Sequence, residues 1–156
     1  MYRIRDFKGK IIKDLKGKKL GIVEDVLINI NTNKVCGFKG REKNFLRKDF
    51  FILWEDIVYF GNNIIIKKVS NLKCFCFENI DSMEIIDLNG NVMGIVEDIL
   101  FSESNFNILG LMVSESFFRR YTRGKRIILT KDIILGDKEI LFHNLQSYYF
   151  YSKLIF

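Results

Sequence analysis

The amino-acid sequence predicts an all-β protein built from two copies of one small domain. The first observation is a five-residue stretch, Gly21–Asp25, that returns unchanged as Gly94–Asp98. The second is the length of 156 residues, enough for one ordinary domain or two small ones. The third is a series of short apolar runs separated by glycine and asparagine turns, which is typical of small barrels and sandwiches. We therefore predict two domains, residues 1–72 and 73–156.

The repeat extends well beyond these five residues. At the same offset of 73 positions, ten of the sixteen residues from 12 to 27 are identical to those from 85 to 100. A repeat at a fixed spacing indicates how the chain is built from similar units, and only secondarily what the protein does. Units of about 75 residues bury a modest share of their surface. We therefore expect the two copies to pack on each other.

Six strands are predicted in the first unit, after a basic lead-in at residues 1–9. All but one of these runs are followed by glycine, asparagine or a charged residue, which favour turns. Gly21, near the start of the long second strand, predicts a bulge, a sharp bend or a close backbone approach, and barrel corners need such a bend. A short turn is expected at 54–57. The predicted strands are 11–15, 20–30, 35–39, 50–53, 58–60 and 64–67.

The second unit repeats this plan after a joining segment at 68–80. That segment has no proline and no serine-rich run, so we expect it to be docked rather than loose. A short helix is expected near 115–123, with Ser114 or Ser116 as its cap and Gly124 as its stop. The tail from residue 143 is rich in tyrosine and phenylalanine and has no counterpart in the first unit. The predicted strands are 83–87, 94–101, 108–113, 127–129 and 140–142, and residues 131–136 correspond to residues 55–61.

Charge is divided unevenly between the two halves. Residues 1–73 carry 17 Lys and Arg against 8 Asp and Glu, whereas residues 74–156 carry 8 against 11. A basic half suits nucleic acid, an anionic membrane surface, an acidic protein or its own acidic twin, and genomic bias alone also produces lysine-rich chains. No apolar run reaches the roughly 20 residues of a membrane helix, and no secretory signal is recognisable. Three cysteines fit a reducing compartment, so we expect a cytoplasmic protein.

The residue inventory argues against catalysis. The pairs Glu24–Asp25 and Glu97–Asp98 are the obvious acidic candidates, but adjacent residues on a strand point to opposite faces. We expect one carboxylate of each pair to cap a turn or bond backbone amides at the barrel bend. The single His143 offers little for metal binding or proton transfer, and no phosphate-binding loop is present. We predict no enzymatic activity, no cofactor and no metal.

Partner binding is predicted where the two units diverge, at residues 40–48 and 115–126, and at the tail. Arginine interleaved with aromatic residues suits a protein hot spot or contacts to phosphates and bases. The alternative is that the aromatic rings pack inward and the arginines are solvated. The tail could cover the groove between the barrels, form a dimer contact or bind a partner segment, and internal packing is the default. The candidate residues are Arg41, Lys43, Phe45, Arg47, Lys48, Phe117, Phe118, Arg119, Arg120, Tyr121, Arg123, Tyr148 and Tyr149.

This pattern resembles the PRC-barrel domain family. Both halves carry Asp-Leu-x-Gly, then Gly-x-Val-Glu-Asp, an apolar run with a central glycine, and Asp-Ile before an isolated glycine and a last apolar strand. The resemblance implies two tandem six-stranded antiparallel PRC-like barrels, and small PRC-barrel proteins of spore-forming bacteria look most similar. Members of the family share protein–protein contact rather than a reaction.

From the resemblance and the surface residues we expect a non-catalytic adaptor module used in sporulation or in assembly, with another protein as its main partner. The alternative is an RNA- or ribosome-associated maturation factor that uses the basic first unit. Peripheral attachment to an anionic membrane is a weaker alternative. The sequence leaves open whether the chain forms a homo-oligomer. Binding to nucleic acid or lipid should weaken steeply with salt, whereas an aromatic hot spot should tolerate it.

Overall fold

The computed structural model describes residues 1–42, 48–70, 74–114 and 126–144. These ranges form an all-β protein, as predicted, with strands and four 3-10 turns and no α-helix. The helix expected near 115–123 lies outside them. The 3-10 turns are Ile4–Asp6, Trp54–Asp56, Phe77–Asn79 and Thr130–Asp132. The strands are β1 (Tyr2–Arg3), β2 (Ile11–Asp14), β3 (Lys19–Asn29), β4 (Lys34–Arg41), β5 (Asp49–Leu53), β6 (Ile57–Phe60), β7 (Asn63–Ile66), β8 (Glu84–Ile86), β9 (Val92–Phe101), β10 (Ile108–Ser114), β11 (Arg126–Leu129), β12 (Ile133–Leu135) and β13 (Glu139–Phe142).

The chain folds into two sheets with the same strand order. The first sheet has the order β5-β4-β3-β2-β7-β6, and the second has β11-β10-β9-β8-β13-β12, with β1 added beside β9. One ladder in each sheet is parallel, β2 with β7 and β8 with β13. The sheets are therefore mixed rather than wholly antiparallel. The domain boundary at 72/73 stays a prediction, because residues 71–73 lie outside the described ranges.

The parallel ladder follows from the 3-10 turn Trp54–Asp56. Three antiparallel ladders separate β5 from β2, and β6 is antiparallel to β7, which runs parallel to β2. Strands β5 and β6 therefore run in the same direction, and the turn bends the chain without reversing it. Because β5 and β6 are the two edges of the sheet, this link curls the sheet towards a barrel. The turn Thr130–Asp132 connects β11 to β12 in the same way.

Two glycines of the first sheet allow close contact between strands. A Cβ atom added to Gly37 would lie 1.9 Å from the carbonyl oxygen of Ile52, and one added to Gly21 would lie 2.3 Å from that of Arg41. Neither site could hold a larger residue without displacing backbone. Of the three features expected of a glycine inside a strand, Gly21 thus shows the close backbone approach.

The two units meet through reciprocal hydrogen bonds between equivalent residues. The backbone N–H of Val35 donates to the carbonyl of Phe106 at 2.9 Å, and that of Ile108 donates to the carbonyl of Asn33 at 2.9 Å. Residues 33 and 106, and residues 35 and 108, differ by the repeat offset of 73. An exchange in which i contacts j and j contacts i is what a twofold relation produces. The repeat is therefore arranged as an approximate twofold pair rather than a translated copy.

Candidate functional site

The aspartate of each Glu–Asp pair holds the beginning of the other unit. Asp98 Oδ1 accepts a hydrogen bond from the backbone N–H of Ile4 at 3.0 Å. Asp25 Oδ2 accepts one from the backbone N–H of Glu78 at 2.7 Å. The aspartates are 8% and 3% exposed respectively, and both donors lie in the first 3-10 turn of their own unit. The carboxylates thus bond backbone amides, as expected, but across the boundary between units.

Short backbone ladders reinforce this exchange. In β1, Arg3 lies opposite Leu100 on β9, and at the equivalent position Cys76 lies opposite Leu27 on β3. The expectation that segment 68–80 is docked therefore holds for its described parts, residues 68–70 and 74–80, because Ser70 also exchanges backbone hydrogen bonds with Phe51. Residues 1–9, which the sequence suggested only as a basic lead-in, are docked in the same way. The lead-in segment of each unit therefore pairs with the long strand of the other unit.

Burial raises the pKa values of two groups where the lead-in of the second unit meets the first unit. Burial raises the pKa of Asp25, although the N–H of Glu78 and the charge of Lys8 act in the opposite direction. Burial, together with the negative charges of Asp25 and Glu78, raises the pKa of the Cys76 thiol to about 12. A thiol with that pKa stays protonated at neutral pH and is a poor nucleophile. These groups are therefore suited to holding the units together rather than to reaction.

Glu24 points away from its aspartate neighbour into a network of ion pairs. Glu24 Oε1 lies 2.9 Å from Arg41 Nη1, and Arg41 Nε lies 3.0 Å from Asp49 Oδ1. Lys39 Nζ lies 3.1 Å from Asp49 Oδ2 and 2.8 Å from Glu78 Oε1, and its side chain is only 7% exposed. This ion-pair network connects β3, β4 and β5 of the first unit to the lead-in of the second.

The ion-pair network changes the pKa values of three of its members, Lys39, Asp49 and Arg41. Burial lowers the pKa of Lys39, but hydrogen bonds to Glu78 and Asp49 outweigh it and the net pKa is raised. Burial likewise raises the pKa of Asp49, but hydrogen bonds from Arg41 and Lys39 outweigh it and the net pKa is lowered. The hydrogen bond to Asp49 raises the pKa of Arg41. With pKa values moved away from neutrality, these groups act as a structural clamp and not as proton donors or acceptors at pH 7.

Two of the predicted partner-binding residues, Arg41 and Lys48, lie in the described ranges. The guanidinium of Arg41 is engaged by Glu24 and Asp49 within the chain. Lys48 is exposed, and its carbonyl accepts the N–H of Glu42 at 3.0 Å, which closes the base of the loop between them. The remaining candidates lie outside the described residues, and their role stays a prediction: Lys43, Phe45, Arg47, Phe117, Phe118, Arg119, Arg120, Tyr121, Arg123, Tyr148 and Tyr149.

A cluster of lysines that was not among the predicted site residues lies at one end of the first unit. Lys13 on β2 is directly opposite Lys19 on β3. The β2–β3 turn between them contributes two more lysines, and two follow β7, which runs parallel beside β2. The sequence shows their density, but only the strand register shows that they converge. We call this cluster the lysine end; its members are Lys13, Lys16, Lys18, Lys19, Lys67 and Lys68.

The cores of the two units differ in the size of their side chains. In the first unit Trp54 stacks on Phe106 of the second, with centroids 4.0 Å apart, and its Nε1 donates to the carbonyl of Val35 at 2.8 Å. An apolar cleft of about 330 Å³ opens where smaller residues of the second unit meet Ile28, Ile30 and Asn33 of the first. The cleft is lined by Ile80, Leu111 and Thr130, where the first unit has Phe7, Phe38 and Trp54. The missing ring volume accounts for the cleft.

No group of three or more His, Cys, Asp or Glu residues within the described ranges is placed to hold a metal ion. In the same part of the chain, no helix has the length and apolar character needed to cross a membrane.

Comparison with known proteins agrees with the fold. The PRC-barrel domain family matches residues 1–73. The probable sporulation protein YlmC of Bacillus subtilis (strain 168) is 32% identical over 77 residues, which is 45% of this chain and 95% of that relative. Almost the whole of the relative therefore aligns with less than half of this chain, as expected for a relative the size of one unit. The resemblance to the PRC-barrel domain is confirmed, and the chain belongs to the PRC-barrel family; the tandem arrangement stays a prediction.

Proposed function

We propose that this chain is a non-catalytic cytoplasmic adaptor or assembly module that acts in sporulation. The observation that carries the proposal is the reciprocal bond pair, Asp98 to Ile4 and Asp25 to Glu78. These bonds give the two units a fixed relative orientation. A scaffold that holds two surfaces at a fixed distance is suited to bringing partners together. The name of the B. subtilis relative supports the link to sporulation.

The two surfaces are unlike in charge. Residues 1–73 carry nine more basic than acidic residues, and residues 74–156 carry three more acidic than basic ones. Surfaces of opposite sign recognise different partners, because like-charged juxtapositions are penalised. We further propose that the second unit is a second PRC barrel, which the equivalent strand order supports. One chain would then present two related but distinct binding surfaces.

The proposed partner surface is the one predicted from the sequence, in the diverging loops and the aromatic tail. Aromatic and arginine side chains dominate the energetics of protein interfaces, whereas rim charges contribute little. Binding through this surface should therefore persist at high salt and depend on single rings such as Phe118 and Tyr149.

The test is capture of partners from lysate of sporulating cells by the full chain, at low and high salt and with or without nuclease. We expect a protein partner that survives both treatments and is lost with Phe118→Ala or Tyr149→Ala. Val58→Ala is the matched control, because Val58 is exposed on β6 and is not one of the predicted partner-binding residues. Recovery of RNA or ribosomal particles that disappear with nuclease would contradict the proposal and support the RNA-associated alternative.

A further inference from the structure

The β2–β3 and β8–β9 turns share one backbone design. Asp14 Oδ1 accepts the N–H groups of Lys16 and Lys18, each at 2.9 Å. Asp87 Oδ1 accepts those of Asn89 and Asn91, each at 2.8 Å. The turn glycines also match, with φ of +80° at residue 17 and +81° at residue 90. The two turns are therefore equivalent backbone supports for different side chains.

What differs between the two turns is charge. Each lysine of the lysine end has an uncharged counterpart at the equivalent place in the second unit. The counterparts of Lys13, Lys16, Lys18, Lys19, Lys67 and Lys68 are Ile86, Asn89, Asn91, Val92, His143 and Asn144. The fold therefore does not require the lysines, because the same backbone forms without them.

The lysine end is weakly neutralised by its surroundings. Lys13 and Lys19 face each other across a ladder, an arrangement of like charges that destabilises a sheet. Two acids lie beside it: Asp14, whose Oδ1 is occupied by the turn amides, and Asp56, which lies 3.7 Å from Lys68. Such a concentration of positive charge favours an anionic partner.

We propose that the lysine end docks the first unit on the surface of an anionic phospholipid bilayer. An array of lysines near a negatively charged leaflet gains about 1 kcal/mol per residue without requiring a specific geometry. Leu15, at the tip of the same turn, is 64% exposed. An apolar residue surrounded by lysines can enter the boundary between headgroups and acyl chains while the ammonium groups stay at the surface. This attachment is independent of the adaptor's protein partner.

The composition of the lysine end favours a bilayer over RNA. Its six basic residues are all lysines, and lysine is a compact, strongly hydrated point charge that lacks the planar fork with which arginine reads phosphates and bases. Single-stranded nucleic acids are bound by aromatic rings in a positively charged groove. The lysine end instead combines charge with an aliphatic tip on a hairpin.

The experiment is co-sedimentation of the full chain with vesicles of phosphatidylcholine alone and of phosphatidylcholine mixed with phosphatidylglycerol, at low and high salt. We expect binding only to the mixed vesicles and loss of binding at high salt. Lys16→Asn/Lys18→Asn should weaken it about 30-fold, because each lysine contributes roughly fivefold. This variant places the residues of the second turn on the first, so folding is preserved and a thermal melt checks it. The reciprocal variant Asn89→Lys/Asn91→Lys should bind no more weakly than the wild-type chain.

Three results would overturn the proposal. One is equal binding to both kinds of vesicle, or to neither. Another is unchanged binding of Lys16→Asn/Lys18→Asn, which would place the contact elsewhere. The third is displacement from mixed vesicles by single-stranded RNA at an equal concentration of phosphate, which would identify the lysine end as a nucleic-acid surface. None of these outcomes bears on the capture of a protein partner, so the two proposals fail separately.

Discussion

The carboxylate of Asp25 accepts the backbone N–H of Glu78 across the boundary between the units, at 2.7 Å. At the equivalent place Asp98 accepts the N–H of Ile4. A motif that looks like a pair of catalytic acids when read along the chain therefore contributes to an internal interface. The reason for repeating it is that each unit needs an acceptor for the lead-in of the other.

Asp25→Ala should destabilise the protein by about 2 kcal/mol, because it leaves a part-buried N–H without its acceptor. Asp25→Asn keeps an acceptor oxygen and should retain full stability at pH 7. A carboxyl whose pKa is raised by folding stabilises the native state below its unfolded pKa, near 4, and this contribution is lost as the pH rises through the folded value. The stability of Asp25→Asn relative to wild type should therefore increase from about pH 4 upwards. Urea unfolding measures both variants, and a less stable Asp25→Asn at pH 7 would contradict the account.

Asp49 should show the opposite dependence on pH. Its pKa is lowered in the folded state by Arg41 and Lys39, so its contribution is present above the unfolded pKa and is lost as the pH falls through the folded value. Because Asp49 is partly exposed, Asp49→Asn should cost no more than about 1 kcal/mol at pH 7. The difference from wild type should shrink as the pH falls below about 4, the unfolded pKa of an aspartate. A stability difference between Asp49→Asn and wild type that persists at acid pH would show that the ion-pair network does not cause it.

Glycine positions in the first unit should respond unequally to alanine. Gly37→Ala should cost about 3 kcal/mol, because the new Cβ meets the carbonyl of Ile52 in the neighbouring strand. Gly17→Ala, at a turn with open space around it, should cost only about 1 kcal/mol for its left-handed backbone. Chemical denaturation of the two variants checks the order. Equal losses would mean that β4 and β5 are not as closely packed as described.

The single tryptophan reports on contact between the units. Phe106→Ala should shift the emission of Trp54 to longer wavelength, because the ring that stacks on it from the second unit is removed. The stability loss should be about 2 kcal/mol, less than for a fully buried phenylalanine. Tyr59→Ala is the control. Tyr59 is an exposed residue of the first unit, to which Trp54 belongs, and its substitution should leave the emission unchanged. An unaltered spectrum in Phe106→Ala would argue against this contact.

The sequence was informative where the repeat is strong. The two long strands, the turns at Gly17 and Gly90 and the docked joining segment were all predictable from local pattern. The docked lead-in at residues 1–9 was missed, although Ile4 and Phe7 occupy the same positions as Phe77 and Ile80 at the repeat offset. Extending the comparison to apolar positions without identity would have found it.

Other features depended on geometry that a local pattern does not contain. The parallel ladder arises because the turn Trp54–Asp56 bends without reversing, and residue composition does not distinguish these outcomes. The partner of Asp25 lies 53 positions away in the other unit, so strand periodicity could predict a backbone bond but not its donor. The lysine end needed the register that places Lys13 opposite Lys19.

The most direct test of the interlocked scaffold is native-state hydrogen exchange in increasing urea, followed separately in the two long strands. If the exchanged lead-ins join the units into one cooperative body, residues 23–27 and 96–100 should exchange through openings of the same free energy. Asp98→Ala should then lower both values together. An opening of smaller free energy that exposes one strand and leaves the other protected would show that the units unfold independently, and would contradict the central claim.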